Sequence, residues 1–96
     1  METNVKYIVS AFNGSRTIDP VIAVAASDIM SAIDNFENLM YCSECPKITL
    51  VDMIECVVLR EFNRKYDDGN VLHEDWHDGS IADAVLEYHM MLRAKR

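Results

Sequence analysis

The stretch from Asp19 to Met40, DPVIAVAASDIMSAIDNFENLM, decides the fold, because its hydrophobic period changes from that of a strand to that of a helix. A short apolar run follows Pro20, a residue that suits the first position of a strand. Ser27 or Asp28 can then cap a helix, since a short side-chain oxygen accepts a hydrogen bond from a first-turn amide. The stretch therefore predicts a strand that leads directly into a helix.

The predicted helix is amphipathic. Its apolar residues recur at three- and four-residue steps, and polar residues fall between them. The residues expected to face the core are Ile29, Ile33, Phe36 and Met40, with Ala32 and Leu39 beside them. The residues expected to face solvent are Asp34, Glu37 and Asn38.

Two further segments resemble strands. Lys6 to Phe12 is rich in β-branched and aromatic residues and ends at Asn13-Gly14, a dipeptide that favours a tight hairpin turn. Residues 17–26 would return antiparallel to it. Ile48 to Leu59 fits either a helix capped by Thr49 or one bent strand or two. We favour the strand interpretation, because a third strand would let the sheet cover the first helix.

The C-terminal third predicts a polar loop followed by a helix. Asn63 to Gly79 is polar, and its clearest break is Asp67 to Asn70. A helix then begins at Ser80, which has an acidic partner, Asp83, three residues later. Its apolar face would consist of Ile81, Ala84, Val85, Tyr88, Met91 and Leu92.

These elements predict an α+β domain covering residues 1–96, in the order strand, strand, helix, strand or strand pair, helix. Both helices would pack on one face of a small antiparallel sheet. Such a sheet leaves edges that invite pairing with another chain, so we expect homodimerisation. The edge near Lys6 to Phe12 is one place for such contacts.

The composition favours a protein partner over a nucleic acid. The chain has 96 residues and a net charge of −7, which disfavours direct binding to phosphate backbones and favours basic protein surfaces. No apolar run approaches the roughly 18 residues of a membrane span, and the first residues lack a secretory leader. We therefore expect a cytoplasmic protein, with no membrane partner. Its three cysteines would then be free thiols or metal ligands.

One pattern indicates zinc. Cys42-x2-Cys45 is followed, after a long separation, by His73-x3-His77, and two imidazoles four residues apart can face the same way on a helical turn. The alternative is a packed thiol, a loop cysteine and two solvated histidines. Zinc is the one cofactor that the sequence suggests. Cys56 lies in an apolar segment, and we expect it in the core.

Charge is unevenly placed. Between Tyr66 and Leu92, which we call the acidic window, there are seven acids and no lysine or arginine. A charge run of this kind is commonly a solvated surface, but Trp76 in its middle suggests a binding anchor. The alternative for Trp76 is that its ring folds back and covers the core. The predicted partner-binding residues are Asp67, Asp68, Glu74, Asp75, Trp76, Asp78, Asp83 and Glu87.

Catalysis has weak support, because no nucleophile is paired with a base and the three glycines form no phosphate-binding loop. The methionines fit apolar positions, and we expect them to fill the core. The leading hypothesis is a non-enzymatic interaction or inhibitor protein that binds a basic protein surface. The acidity and small size resemble, in general terms, phage accessory proteins that mimic nucleic acid, whose partners are nucleic-acid-handling proteins. A zinc-binding adaptor is the alternative, and a small enzyme is third.

Overall fold

The computed structural model describes residues 5–14, 19–67, 70–77 and 79–94. Five strands and two helices form an α+β fold, which confirms the predicted class. In chain order, the elements are β1 (Tyr7–Phe12), β2 (Ile22–Ala26), α1 (Ile29–Cys42), β3 (Lys47–Asp52), β4 (Val57–Asp67), β5 (Asn70–His77), a 3-10 turn (Gly79–Ile81) and α2 (Ala82–Ala94).

The five strands form one antiparallel sheet in the order β2-β1-β3-β4-β5. The strand predicted at Lys6 to Phe12 is present as β1, but it lies between β2 and β3 and is not an edge. The expectation of an accessible edge there is wrong, because both sides of β1 already pair with neighbouring strands. The two edge strands are β2 and β5.

The core lies between the sheet and α1. In the register, Val9 of β1 stands between Val24 and Leu50, and all three contribute to the face that the helices cover. Ile33 and Phe36 of α1 are fully buried against this face, which confirms the predicted apolar side of the helix. Glu37 is the exception. It was expected in solvent, but it is also buried.

Both ends of α1 are capped by side chains. Asp28 is the N-cap, and its carboxylate accepts hydrogen bonds from the backbone N–H and the hydroxyl of Ser31 at 2.9 and 3.0 Å. The backbone bond from Ser31 lowers the pKa of Asp28. At the other end, the Arg64 guanidinium donates to the carbonyls of Met40 at 2.7 Å and Ser43 at 3.2 Å. It thus satisfies acceptors at the negative end of the helix dipole.

The segment 48–59 consists of two strands and a tight turn, so the strand interpretation is confirmed. Asp52 closes the turn by accepting the backbone N–H groups of Ile54 and Glu55 at 2.8 and 3.0 Å. Cys56 is exposed in this turn with φ of 57°, so its expected place in the core is wrong. Local side-chain to backbone bonding turns the chain here despite the apolar sequence.

Two predicted loops differ from the structure. Asn63 to Gly79 was expected to be irregular, but β4 continues to Asp67 and β5 pairs with it along residues 70–77. Pairing with an existing strand compensates for a polar composition, because ladder hydrogen bonds do not depend on side chains. β1 ends at Phe12 and β2 begins at Ile22, later than the return strand expected at residues 17–26, of which 17 and 18 lie outside the described residues.

Candidate functional site

The candidate site is α2 and its surroundings, and its position depends on the 3-10 turn. A Cβ on Gly79, where φ is 55°, would lie 2.8 Å from the Leu59 carbonyl oxygen of β4, so the close approach of turn and strand requires glycine. Ile81 and Val85 follow and are buried in the core. The helix begins at Ala82, two residues later than predicted, because Gly79–Ile81 form the preceding turn.

A partly buried polar cluster ties α2 to α1 and to the sheet. The Glu37 carboxylate accepts a hydrogen bond from Arg60 of β4 at 3.1 Å and contacts Nε2 of His89 of α2 at 2.7 Å. A carboxylate only accepts, so Nε2 carries the proton in this contact. The Arg60 guanidinium also lies 4.6 Å from the ring centre of Phe36. Sequence reasoning missed this cluster, because its members lie far apart in the chain.

Tyr88 makes a second link between the helices. Its hydroxyl donates to Asp34 of α1 at 2.7 Å. Burial raises the pKa of the Tyr88 phenol, and the hydrogen bond to Asp34 acts in the same direction. Tyr88 therefore remains a neutral donor across the physiological range, and α2 has a defined orientation relative to α1.

This anchoring leaves a mixed acidic and apolar surface pointing outward. Two acids and four apolar residues of α2 line a shallow groove of about 430 Å³, which we call the α2 face: Asp83, Leu86, Glu87, Met90, Met91 and Ala94. Leu86 and Met90 are each 61% exposed, and Met91 is 45% exposed. For Met90 and Met91, and for Met53 at 46%, the expected role as core residues is wrong.

The sequence did contain a signal for the α2 face. Asp83, Leu86, Glu87 and Met90 recur at three- and four-residue steps, as do Ala84, Val85 and Tyr88, which pack against the core. Two stripes with the same period cannot both face the core. The stripe through Val85 makes the core contacts, and the stripe through Leu86 remains outside.

The remaining predicted partner-binding residues lie on other elements. Asp67 ends β4, and Glu74, Asp75 and Trp76 lie in the edge strand β5, where Trp76 pairs with Phe62 in the register. The Glu74 carboxylate is exposed, 3.6 Å from Nε of Arg64. Asp68 and Asp78 lie outside the described residues. The acidic window thus spans β4, β5 and α2, and its helical acids, Asp83 and Glu87, lie beside exposed apolar residues.

The predicted zinc ligands are also on separate elements. Cys42 is exposed at the last residue of α1, and Cys45 is half-buried in the loop before β3. His73 and His77 lie in β5, so they are not on the helical turn that would let two imidazoles four residues apart face the same way. Four residues along a strand separate the Cα atoms by about 13 Å, which is unfavourable for two ligands of one ion. The side chains of His73 and His77 are outside the described part, and the zinc set stays a prediction. Within the described residues, no group of three or more His, Cys, Asp or Glu side chains is placed so that it could hold a metal ion.

Searches of family models, curated proteins and solved structures find no match to this chain. Neither helix in the described ranges is long and apolar enough to cross a bilayer.

Proposed function

We propose that this protein is a non-enzymatic interaction protein that uses the α2 face to bind a basic amphipathic segment of another protein. The observation that carries the proposal is the placement of exposed Leu86, Met90 and Met91 beside Asp83 and Glu87 on a helix whose other side is anchored. An apolar partner side chain would fill the groove, and its lysine or arginine neighbours would meet the two carboxylates.

Apolar exposure supports a binding role for α2. Exposed leucines and methionines that cluster on one helix mark a contact site more often than isolated surface residues do. Methionine is flexible and polarisable, so it adapts to different apolar partners. A partner helix would place residues at helical spacing along this groove.

Charge complementarity supports a basic partner. Asp83 and Glu87 are exposed, and no hydrogen bond or ion pair within the described residues engages their carboxylates. The predicted acids of β5 would add to the negative potential and steer a basic segment towards the molecule. In this role the acids mainly accelerate association, and the apolar groove mainly slows dissociation.

A synthetic peptide provides a defined probe. The peptide has about 18 residues, with leucine at helical spacing and lysine elsewhere, and its fluorescence anisotropy is followed against protein concentration. A peptide of the same composition without an apolar face is the control. We expect only the amphipathic peptide to bind with an affinity that falls as salt rises from about 50 to about 300 mM. Equal binding of both peptides would overturn the proposal.

Matched variants locate the site. Leu86→Ala with Met90→Ala should weaken binding about tenfold or more, because it removes the apolar anchors. Asp83→Asn with Glu87→Gln should weaken it about three- to tenfold at low salt. The control pair, Glu44→Gln with Glu55→Gln, changes the net charge equally at exposed positions outside α2. An equal loss in the control pair would show attraction by net charge alone and would contradict a defined α2 site.

The finer hypotheses stay predictions. A nucleic-acid-handling partner, as for the phage proteins that the composition resembles, would be one source of a basic segment. The zinc adaptor built on Cys42, Cys45, His73 and His77 is tested by metal analysis of protein purified without chelator. Zinc below about a tenth of an equivalent, roughly trace level, would remove it.

A further inference from the structure

The edge strand β2 has a different chemistry from the rest of the surface. Its sequence, IAVAA, contains no charge, and no charged residue occurs from Pro20 to Ser27 in a chain whose net charge is −7. Within the described residues β1 is the one strand paired with it, and its other side faces outward. Ile22 is 37% exposed, and Ala23 and Ala25 are exposed. An uncharged edge of this kind lacks the lysines, prolines or bulges that block strand addition.

We infer that β2 pairs antiparallel with β2 of a second copy, so that two five-stranded sheets form one continuous sheet about a two-fold axis. This interface does not involve the α2 face, and it stands whether or not the proposed function holds. The unpaired backbone N–H and C=O groups of the edge supply the hydrogen bonds.

The charge distribution favours a second copy as the partner strand, and it favours β2 over β5 as the edge that pairs with it. Two copies repel wherever their acidic surfaces meet, and the other edge, β5, carries Glu74 and Asp75. At β2 no like charges come together. A basic partner strand would gain little along Ile22–Ala26, because the strand itself carries no carboxylate.

The register follows from symmetry. If the whole strand Ile22–Ala26 pairs with its copy, the axis passes through Val24, and Ala23 stands opposite the partner's Ala25. The acids that flank the strand, Asp19 and Asp28, then stand opposite the partner's Ile29 and the partner's Pro20, so neither is paired directly with a carboxylate. Small alanine side chains at the exposed positions also leave room for the second strand.

The interface between the β2 strands of the two copies is small. Stable interfaces commonly bury about 1,200 to 2,000 Å², and a five-residue strand pair lies at or below the lower end of that range. We therefore expect a dimer in the micromolar range, with a mass that rises towards twice 11.0 kDa as concentration increases. Sedimentation velocity of the full chain from about 5 to about 500 μM measures this directly.

Two double variants test the register. Ala23→Lys with Ala25→Lys sets lysine against lysine across the axis and should abolish the dimer, although it reduces the net negative charge. Ala23→Lys with Ala25→Glu sets lysine against glutamate in the same register and should retain it. Both substitutions are at exposed positions, and circular dichroism checks that the fold is kept.

Three results would overturn the inference. One is a wild-type monomer at every concentration. Another is a dimer that the lysine pair leaves intact, since the copies would then meet elsewhere. The third is equal loss in both double variants, which would exclude the register centred on Val24. None of these results bears on peptide binding by the α2 face.

Discussion

The two helices have nearly the same length, 14 residues in α1 and 13 in α2, and each shows an apolar face in the sequence. The two helices differ in the elements on which they pack. α1 packs on β1, β2 and β3 and buries Ala32, Ile33, Phe36, Glu37 and Met40. α2 packs on α1 and the 3-10 turn, and within residues 82–94 it buries Val85.

Both helices have the same helical spacing of apolar residues, but in α1 these residues form the core and in α2 some of them form an exposed surface. α1 packs on the sheet and also on α2, so two of its sides meet protein, and even Glu37 is buried there. α2 has one covered side, where His89 and Tyr88 bond to α1, and one side with exposed leucine and methionine. We infer that α1 mainly stabilises the fold and that α2 mainly presents a surface. Three sets of substitutions test this division.

The largest expected effect is at the centre of α1. Phe36→Ala removes a fully buried ring and should lower the free energy of unfolding by about 3 to 5 kcal/mol. The matched change on α2, Leu86→Ala, removes a side chain that is 61% exposed and should change it by less than about 0.5 kcal/mol. Urea denaturation followed by far-ultraviolet circular dichroism measures both. Similar losses would mean that the two helices contribute alike to stability.

A smaller effect is expected where the helices are tied together. Glu37→Gln removes the negative charge that faces buried Arg60 and should lower the free energy of unfolding by about 2 to 3 kcal/mol. His89→Gln changes a side chain that is 43% exposed, and we expect less than about 1 kcal/mol. The double variant should lose less than the sum, since both changes affect one contact. Full additivity would contradict a direct coupling between Glu37 and His89.

The smallest effect is expected at the N-cap of α1. Asp28→Ala should lower the midpoint of thermal unfolding at neutral pH, whereas Asp28→Asn keeps a capping oxygen and should lower it less. The pKa of Asp28 is lowered in the folded state, so its ionised form stabilises the fold above its unfolded pKa. This contribution is lost as the pH falls through the folded pKa. A difference between wild type and Asp28→Asn that persisted unchanged in strong acid would contradict the assignment.

Much of the fold followed from local patterns. The strand-to-helix transition at Asp28, the buried residues Ile33 and Phe36, and β1 were all predicted. β5 was missed, because the polar segment NVLHEDWH forms a strand only through its pairing with β4. Asn63 to Asp67 was missed for the same reason. Strand formation in such segments depends on a neighbour that is distant in sequence.

The candidate site was predicted less completely. Asp83 and Glu87 were among the predicted partner-binding residues, but the apolar residues beside them were assigned to the core or left unassigned. Helical periodicity shows that a helix has faces and does not show which of two competing faces the sheet covers. The Glu37–Arg60–His89 cluster gave no sequence signal, since its residues are 23 and 52 positions apart from Glu37.

The sequence by itself determined the α+β class, the capped amphipathic helix α1 and the excess of acids near the C-terminus, because propensity, capping and charge are local properties. The tertiary structure alone decided which strands became edges, which side of α2 stayed exposed and that Glu37 would be buried. These features depend on contacts between residues far apart in the chain. Whether each of these contacts forms depends on how the whole sheet packs, and a local sequence pattern carries no information about such long-range packing.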